Sequence, residues 1–228
     1  MRILSKLLAA IVLAGSLAYA GGSAAQGLGT PLGFSDVLFT DQVQVGHLYF
    51  AGEGQRPAFA TSKGVIYSEL CSKDYKKTTA LGKIGDYVET AAAFPTKRTI
   101  TRGGGLALSA GKLAALIPKD FAFTFDASAS QNFVAEGIRR LTLSDDGVDL
   151  VQASIGKACQ SEIAAMQKKK VTVVLVLAAQ RADTLTEVKS LTGVFDFFGF
   201  GLKPNGTDEE NTEYEGAYIA VHLGKFSL

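Results

Sequence analysis

The sequence predicts an α+β domain whose mostly antiparallel sheet carries one long amphipathic helix over about residues 149–170. Three observations lead there. Short alternating or β-branched segments recur between Gly and polar punctuation, from Val37-Leu38-Phe39 to the run Ala217 to Phe226. Val151, Ile155, Cys159 and Ile163 repeat at four-residue steps, with Met166 completing the stripe. The chain has 228 residues, of which 47% are hydrophobic and 20% charged, enough for a core of one domain rather than a disordered chain.

Residues 1–20 read as a secretory signal: Arg2 and Lys6, then an apolar run from Leu7 to Leu17, then Ala18-Tyr19-Ala20 as a cleavage site. Residues 21–35, rich in Gly, Ser and Ala, read as a flexible leader, and residues 36–228 as a single α+β domain. Strands are expected at 37–39, 47–51 and 64–70. The polar, lysine-rich stretch 72–86 reads as a surface loop, and 98–102 as a strand. Gly103-Gly104-Gly105 breaks regular structure, and a short helix over 106–117 stops at Pro118. Phe121, Phe123 and Phe125 alternate on a strand, and 133–143 forms another. Ser144-Asp145-Asp146-Gly147 then resembles a hairpin turn in composition.

In the expected long helix, Asp149 caps the first turn with Gln152 as its capping-box partner, and Lys168, Lys169 and Lys170 sit at the carbonyl end. Residues 171–179 are apolar and β-branched and read as a central strand covered on both faces. An edge strand or helix over 182–191, a Phe-rich strand over 194–202, a polar loop over 203–215 and a final strand over 217–226 complete the chain.

Removing residues 1–20 changes the formal charge from +1 to −1, leaving 21 basic against 22 acidic residues. A near-neutral domain has no overall field for a polyanion, so nucleic acid is not an expected partner. Export places the two cysteines in an oxidising compartment, where an even count favours a Cys71–Cys159 disulfide. The alternatives are two buried thiols, or a zinc site with His47 and His222. The four residues lack the short paired spacings of zinc sites.

Catalytic motifs are mostly absent. Ser109-Ala-Gly-Lys112 and Ser154-Ile-Gly-Lys157 match the S-x-x-K pattern, but no K-T-G or S-D-N accompanies them. Residues 103–112 fail the phosphate-loop spacing at Leu106 and Leu113. There is no G-x-S-x-G, so any Ser–His–Asp arrangement needs His47 or His222. Asp208, Glu209, Glu210, Glu213 and Glu215 suggest calcium by charge, but they read more simply as a solvated hairpin tip. Phe195, Phe197, Phe198 and Phe200, interleaved with Gly193, Gly199 and Gly201, form a core strand or an interface hairpin.

The expectation is therefore an exported, periplasmic or secreted protein without catalytic residues, cofactor or metal, binding an unidentified protein or small molecule. Two alternatives stand beside it: a membrane-active or membrane-embedded β protein, with Phe121–Phe125 and Ala217–Phe226 as candidate strands or Phe121–Leu143 as the inserting segment of a triggered pore-former, and an exported hydrolase with His47 or His222 as general base.

Overall fold

The computed structural model describes residues 28–40, 42–54, 57–61, 64–93, 97–102, 131–188, 199–200, 204–207 and 211–228. The expected signal segment, the 106–117 helix, the Phe121–Phe125 strand and Phe195, Phe197 and Phe198 lie outside these residues.

The first half of the chain builds β1 (Leu28–Thr40), β2 (Leu48–Ala51), β3 (Pro57–Ala60) and β4 (Ile66–Glu69). Helix α1 (Ser72–Lys77) and a 3-10 helix (Leu81–Tyr87) follow, then β5 (Val88–Thr90) and β6 (Arg98–Arg102). The second half supplies β7 (Gln131–Glu136), β8 (Arg139–Leu143), α2 (Asp145–Ser154), α3 (Lys157–Lys168) and β9 (Val173–Arg181). It ends with β10 (Thr184–Val188), β11 (Gly199–Phe200), β12 (Pro204–Thr207), β13 (Asn211–Glu215) and β14 (Tyr218–Phe226).

The architecture is α+β, and among the described residues every strand pairing is antiparallel except the parallel β1–β11 contact. In the larger sheet the strands run β11-β1-β14-β9-β2-β4-β3, and β8 joins β9 and carries β5. An antiparallel bridge from Val37 to Thr61 brings β1 back beside the end of β3. The sheet thereby curls into a small barrel of β1, β14, β9, β2, β4 and β3. Register places Tyr49 opposite both Val174 and Glu69, so these side chains share a face of the pleat. Phe59 opposes Tyr67 and packs on both Tyr67 and Tyr49, at ring-centroid distances of 4.9 and 5.1 Å.

Strand β9 is the expected central strand. Its Val173 to Val176 segment is buried on both faces, which suits an uninterrupted apolar sequence. The buried cluster around it also contains Val151, Ile155, Cys159 and Ile163 from the helices.

The smaller sheet, β12-β13-β10-β7-β6, continues the larger one. Three adjacent strands pass from one sheet to the other through short bends: β7 to β8 at Gly137-Ile138, β9 to β10 at Ala182-Asp183, and β13 to β14 at Gly216-Ala217. The bends are stitched together. Asp183 donates its N–H to Glu136 O at 3.0 Å, Gly216 donates to Asp183 O at 3.1 Å, and Ala182 donates to Ala217 O at 2.8 Å. Arg139 clamps the Asp183 carboxylate through Nε and Nη2, at 3.1 and 2.9 Å. Gly137 has φ 61°, and a Cβ there would stand 2.9 Å from Asp183 Cβ, so only glycine fits the bend as built.

Several expectations need correction. The long helix over 149–170 is two shorter helices, α2 and α3, separated at Ile155-Gly156. Ile155 is extended, and Gly156 turns its N–H to Asp74 Oδ2 at 2.8 Å. A Cβ on Gly156 would lie 3.0 Å from that oxygen, so the break is fixed by a contact distant in sequence. The four-residue stripe survives because Val151 of α2, Ile155 at the break, and Cys159 and Ile163 of α3 are all buried. Ser144, not Asp149, caps α2, its hydroxyl accepting from Gly147 N–H at 3.2 Å. Ser144 to Gly147 is thus a helix start, not a hairpin turn.

The 72–86 stretch is helical, anchored by buried Tyr75, Leu81 and Ile84. The 203–215 stretch supplies β12 and β13, and 184–188 is an interior strand between β7 and β13. β1 starts at Leu28, inside the run read as a leader.

The expected disulfide is present, with Cys71 and Cys159 Cα atoms 4.9 Å apart at a sequence separation of 88. In the chain-entropy account a loop of this length stabilises by about 4.5 kcal/mol. Replacing both cysteines by Ser should lower the denaturant-extrapolated stability by roughly 3 to 5 kcal/mol. Unchanged stability would show that the bridge does little for the fold.

Candidate functional site

The disulfide lies beside a cavity around which several chemistry-bearing side chains gather. Cys71 connects β4 to α1 and adopts φ 60°, a left-handed conformation that is costly for a residue with a Cβ. Three contacts hold it and its helix: the bridge to Cys159, the Cys71 N–H donated to Glu162 Oε2 at 3.2 Å, and the Gly156 N–H donated to Asp74 Oδ2. All three tie α1 to α3 or its start.

So fixed, α1 presents Tyr75 to the loop before β2. The Tyr75 hydroxyl donates to Gly46 O at 2.9 Å, and its ring stacks on the His47 imidazole with centroids 3.8 Å apart and planes 12° from parallel. Burial pushes the Tyr75 hydroxyl pKa far up, so it stays protonated and keeps donating. The loop itself is pinned to the central strand: Gly46 donates to Val176 O at 2.8 Å, and Val176 donates to His47 O at 3.1 Å. Tyr49 supports the same loop, its hydroxyl accepting the Gln44 N–H at 3.1 Å. Burial likewise raises the Tyr49 pKa.

His47 Nδ1 lies 3.2 Å from Glu69 Oε1, with side-chain exposures of 12% and 21%. With the proton on Nδ1, the carboxylate accepts it and Nε2 is left as an acceptor. The pair borders a cavity of about 310 Å³. Gln44, Ser72 and Lys76 add polar groups to its wall, and Leu81 and Ile84 of the 3-10 helix make the apolar side. The cavity thus offers an oriented imidazole, an anion, a cation and an aliphatic surface within one small volume.

His222 is placed differently. It lies on β14 opposite Phe34, whose ring meets it edge-on at 5.1 Å, and Arg140 stacks over Phe34. These neighbours offer no carboxylate to orient the ring. Burial, and secondarily the Arg140 charge, lower the His222 pKa. The structure therefore separates the two histidines, and the expected zinc alternative fails because both cysteines are in the disulfide. Among the described residues no group of three or more His, Cys, Asp or Glu is arranged to hold a metal.

Ser154 and Lys157 straddle the break between α2 and α3, and Ser109 and Lys112 lie outside the described residues. Of the Phe cluster, Phe200 pairs through its backbone with Thr40 of β1, and the rest falls outside. In the acidic run, Glu213 and Glu215 are exposed on β13. Among the described residues no helix is long and apolar enough to cross a membrane.

Sequence reasoning singled out His47 but missed Glu69, Ser72, Tyr75 and Lys76. Six residues of helix are too few to show a periodicity, and a loop was the natural reading of 72–86. A scan of the chain against family models finds no match, and a search of curated proteins finds none either.

The depressed His222 pKa has a definite sign. The unfolded chain binds this proton more readily than the folded one, so the contribution is intact above the unfolded value near 6.5 and is lost as pH falls below it. His222→Gln should therefore flatten the acid side of the stability profile. An unaltered profile, or a His222 titration above 6.5 by NMR, would contradict this.

Proposed function

We propose that the chain is an exported envelope protein that binds a small polar ligand between the 42–47 loop and α1. The observation that carries this reading is the cavity itself, in which His47, Glu69 and Lys76 converge beside an aliphatic wall. Binding sites commonly combine such a concave, partly apolar wall with a few fixed polar groups, and the ends of small barrels are frequent locations. The disulfide supports the oxidising compartment that export implies. The ligand would carry both a hydrogen-bond donor for His47 or Glu69 and an acceptor for Lys76.

One observation favours a second reading. A carboxylate that orients an imidazole is the arrangement of a general base, so His47 and Glu69 also suit an exported hydrolase. The arrangement is incomplete as catalysis, since among the described residues no hydroxyl or thiol hydrogen-bonds to His47.

The test is a thermal-shift and NMR screen of the oxidised protein against amino acids, dicarboxylates and monosaccharides. A ligand of this site should raise Tm by several degrees at about 100 times its Kd. It should also perturb the His47 ring signals, and bind about tenfold or more weakly to Glu69→Gln or His47→Ala. A panel that leaves His47 unperturbed, or ligands whose binding survives both substitutions, would overturn the proposal. Hydrolysis of an added ester such as p-nitrophenyl acetate that disappears in His47→Ala would establish the second reading instead.

A further inference from the structure

A second cavity, of about 500 Å³, opens where α3 ends, β9 begins and β14 finishes, and it shares no lining residue with the His47 cavity. Among the described residues that line it, two are cations, Lys170 and Lys225, and none is an acid. Gln167 and Thr172 add hydrogen-bonding groups, while Val171 and Phe226 form an apolar wall. Among the described residues neither ammonium takes part in an ion pair. Lys168 and Lys169 stand next to Lys170 in the chain, both exposed. The carbonyl end of a helix carries about half a negative charge, which one cation offsets. Four lysines leave an excess of positive charge on a chain whose overall balance is near neutral.

The backbone at Lys170 supplies a second, independent indication. Lys170 has φ 58°. It donates its N–H to Gln167 O at 2.9 Å, and Val171 donates to Met166 O at 2.9 Å, closing the helix in the manner that favours glycine. A lysine there carries the conformational penalty of a Cβ in the left-handed region. In return it sets a cation on the cavity wall. Strain of this kind concentrates at binding sites, where the local structure over-determines it.

We propose that this cavity binds a phosphate monoester bearing a small organic group. Lys170 and Lys225 meet the phosphoryl oxygens, and the organic part lies along Val171 and Phe226. A dianionic group with three acceptor oxygens matches two unpaired ammonium groups better than a single carboxylate does. A soluble phosphorylated metabolite and the headgroup of phosphatidic acid share this chemistry.

The experiment titrates the oxidised protein with glycerol phosphate, with glycerol as control, following amide shifts by NMR. A parallel arm measures sedimentation with phosphatidylcholine vesicles, with and without phosphatidic acid. The proposal expects saturable binding in at least one arm, weakened about tenfold by Lys225→Met and by Lys170→Gly. Lys170→Gly should at the same time raise the ligand-free Tm, because it relieves the left-handed residue. That separates a lost site from a damaged fold. Binding to glycerol phosphate identifies a soluble ligand, binding only to vesicles that contain phosphatidic acid identifies that headgroup, and equal binding to vesicles without it counts against the proposal. No binding in either arm, or binding that survives both substitutions, overturns the proposal.

Discussion

The bridge between Cys71 and Cys159 joins the barrel to its helices at the point where both are locally awkward. On one side is a left-handed residue with a Cβ, and on the other the start of a helix just past a glycine break. Neither end has a side-chain cap of its own. Each borrows a partner from the opposite side: Glu162 accepts the Cys71 N–H and Asp74 accepts the Gly156 N–H. Those two hydrogen bonds need the helices in register, and the disulfide holds that register. Everything that α1 contributes to the cavity, Tyr75 above all, depends on it.

A second constraint shapes the sheets. Three neighbouring strands bend together, and the Arg139–Asp183 pair sits at the bend with both side chains about half exposed. An exposed pair contributes little to stability. The backbone hydrogen bonds at Asp183 and the left-handed Gly137 do more to fix the angle. The bend lets one set of strands serve two buried clusters, one around Val174 and Val221 and another around Phe133, Leu185 and Tyr214.

Much of this was legible in the sequence, for reasons that differ by element. The apolar run at 171–179 announced the central strand because burial on both faces leaves no room for polar residues. The disulfide followed from an even cysteine count and an inferred compartment. The α2–α3 break was hidden because its cause, Asp74, lies 82 residues away and the apolar stripe runs on through it. Segments 72–86 and 203–215 carry no readable apolar period, because a six-residue helix is too short to show one and β13 turns Tyr214 inward between exposed Glu213 and Glu215. His47 was noticed, but its partner Glu69 reaches it only through the β2–β4 pairing, which no local pattern encodes.

The disulfide holds Tyr75 against His47 and so shapes the cavity. The direct measurement is the proton NMR spectrum of the His47 ring in the oxidised protein and after reduction under native conditions. With the bridge intact, a tyrosine ring 3.8 Å away should move the imidazole protons well upfield, and a nuclear Overhauser contact to Tyr75 should accompany the shift. Reduction should return both protons toward free-imidazole positions while the signals of β9 remain dispersed. An imidazole without the upfield shift in the oxidised protein, or one that keeps its shift and its Tyr75 contact after reduction, would contradict the claim.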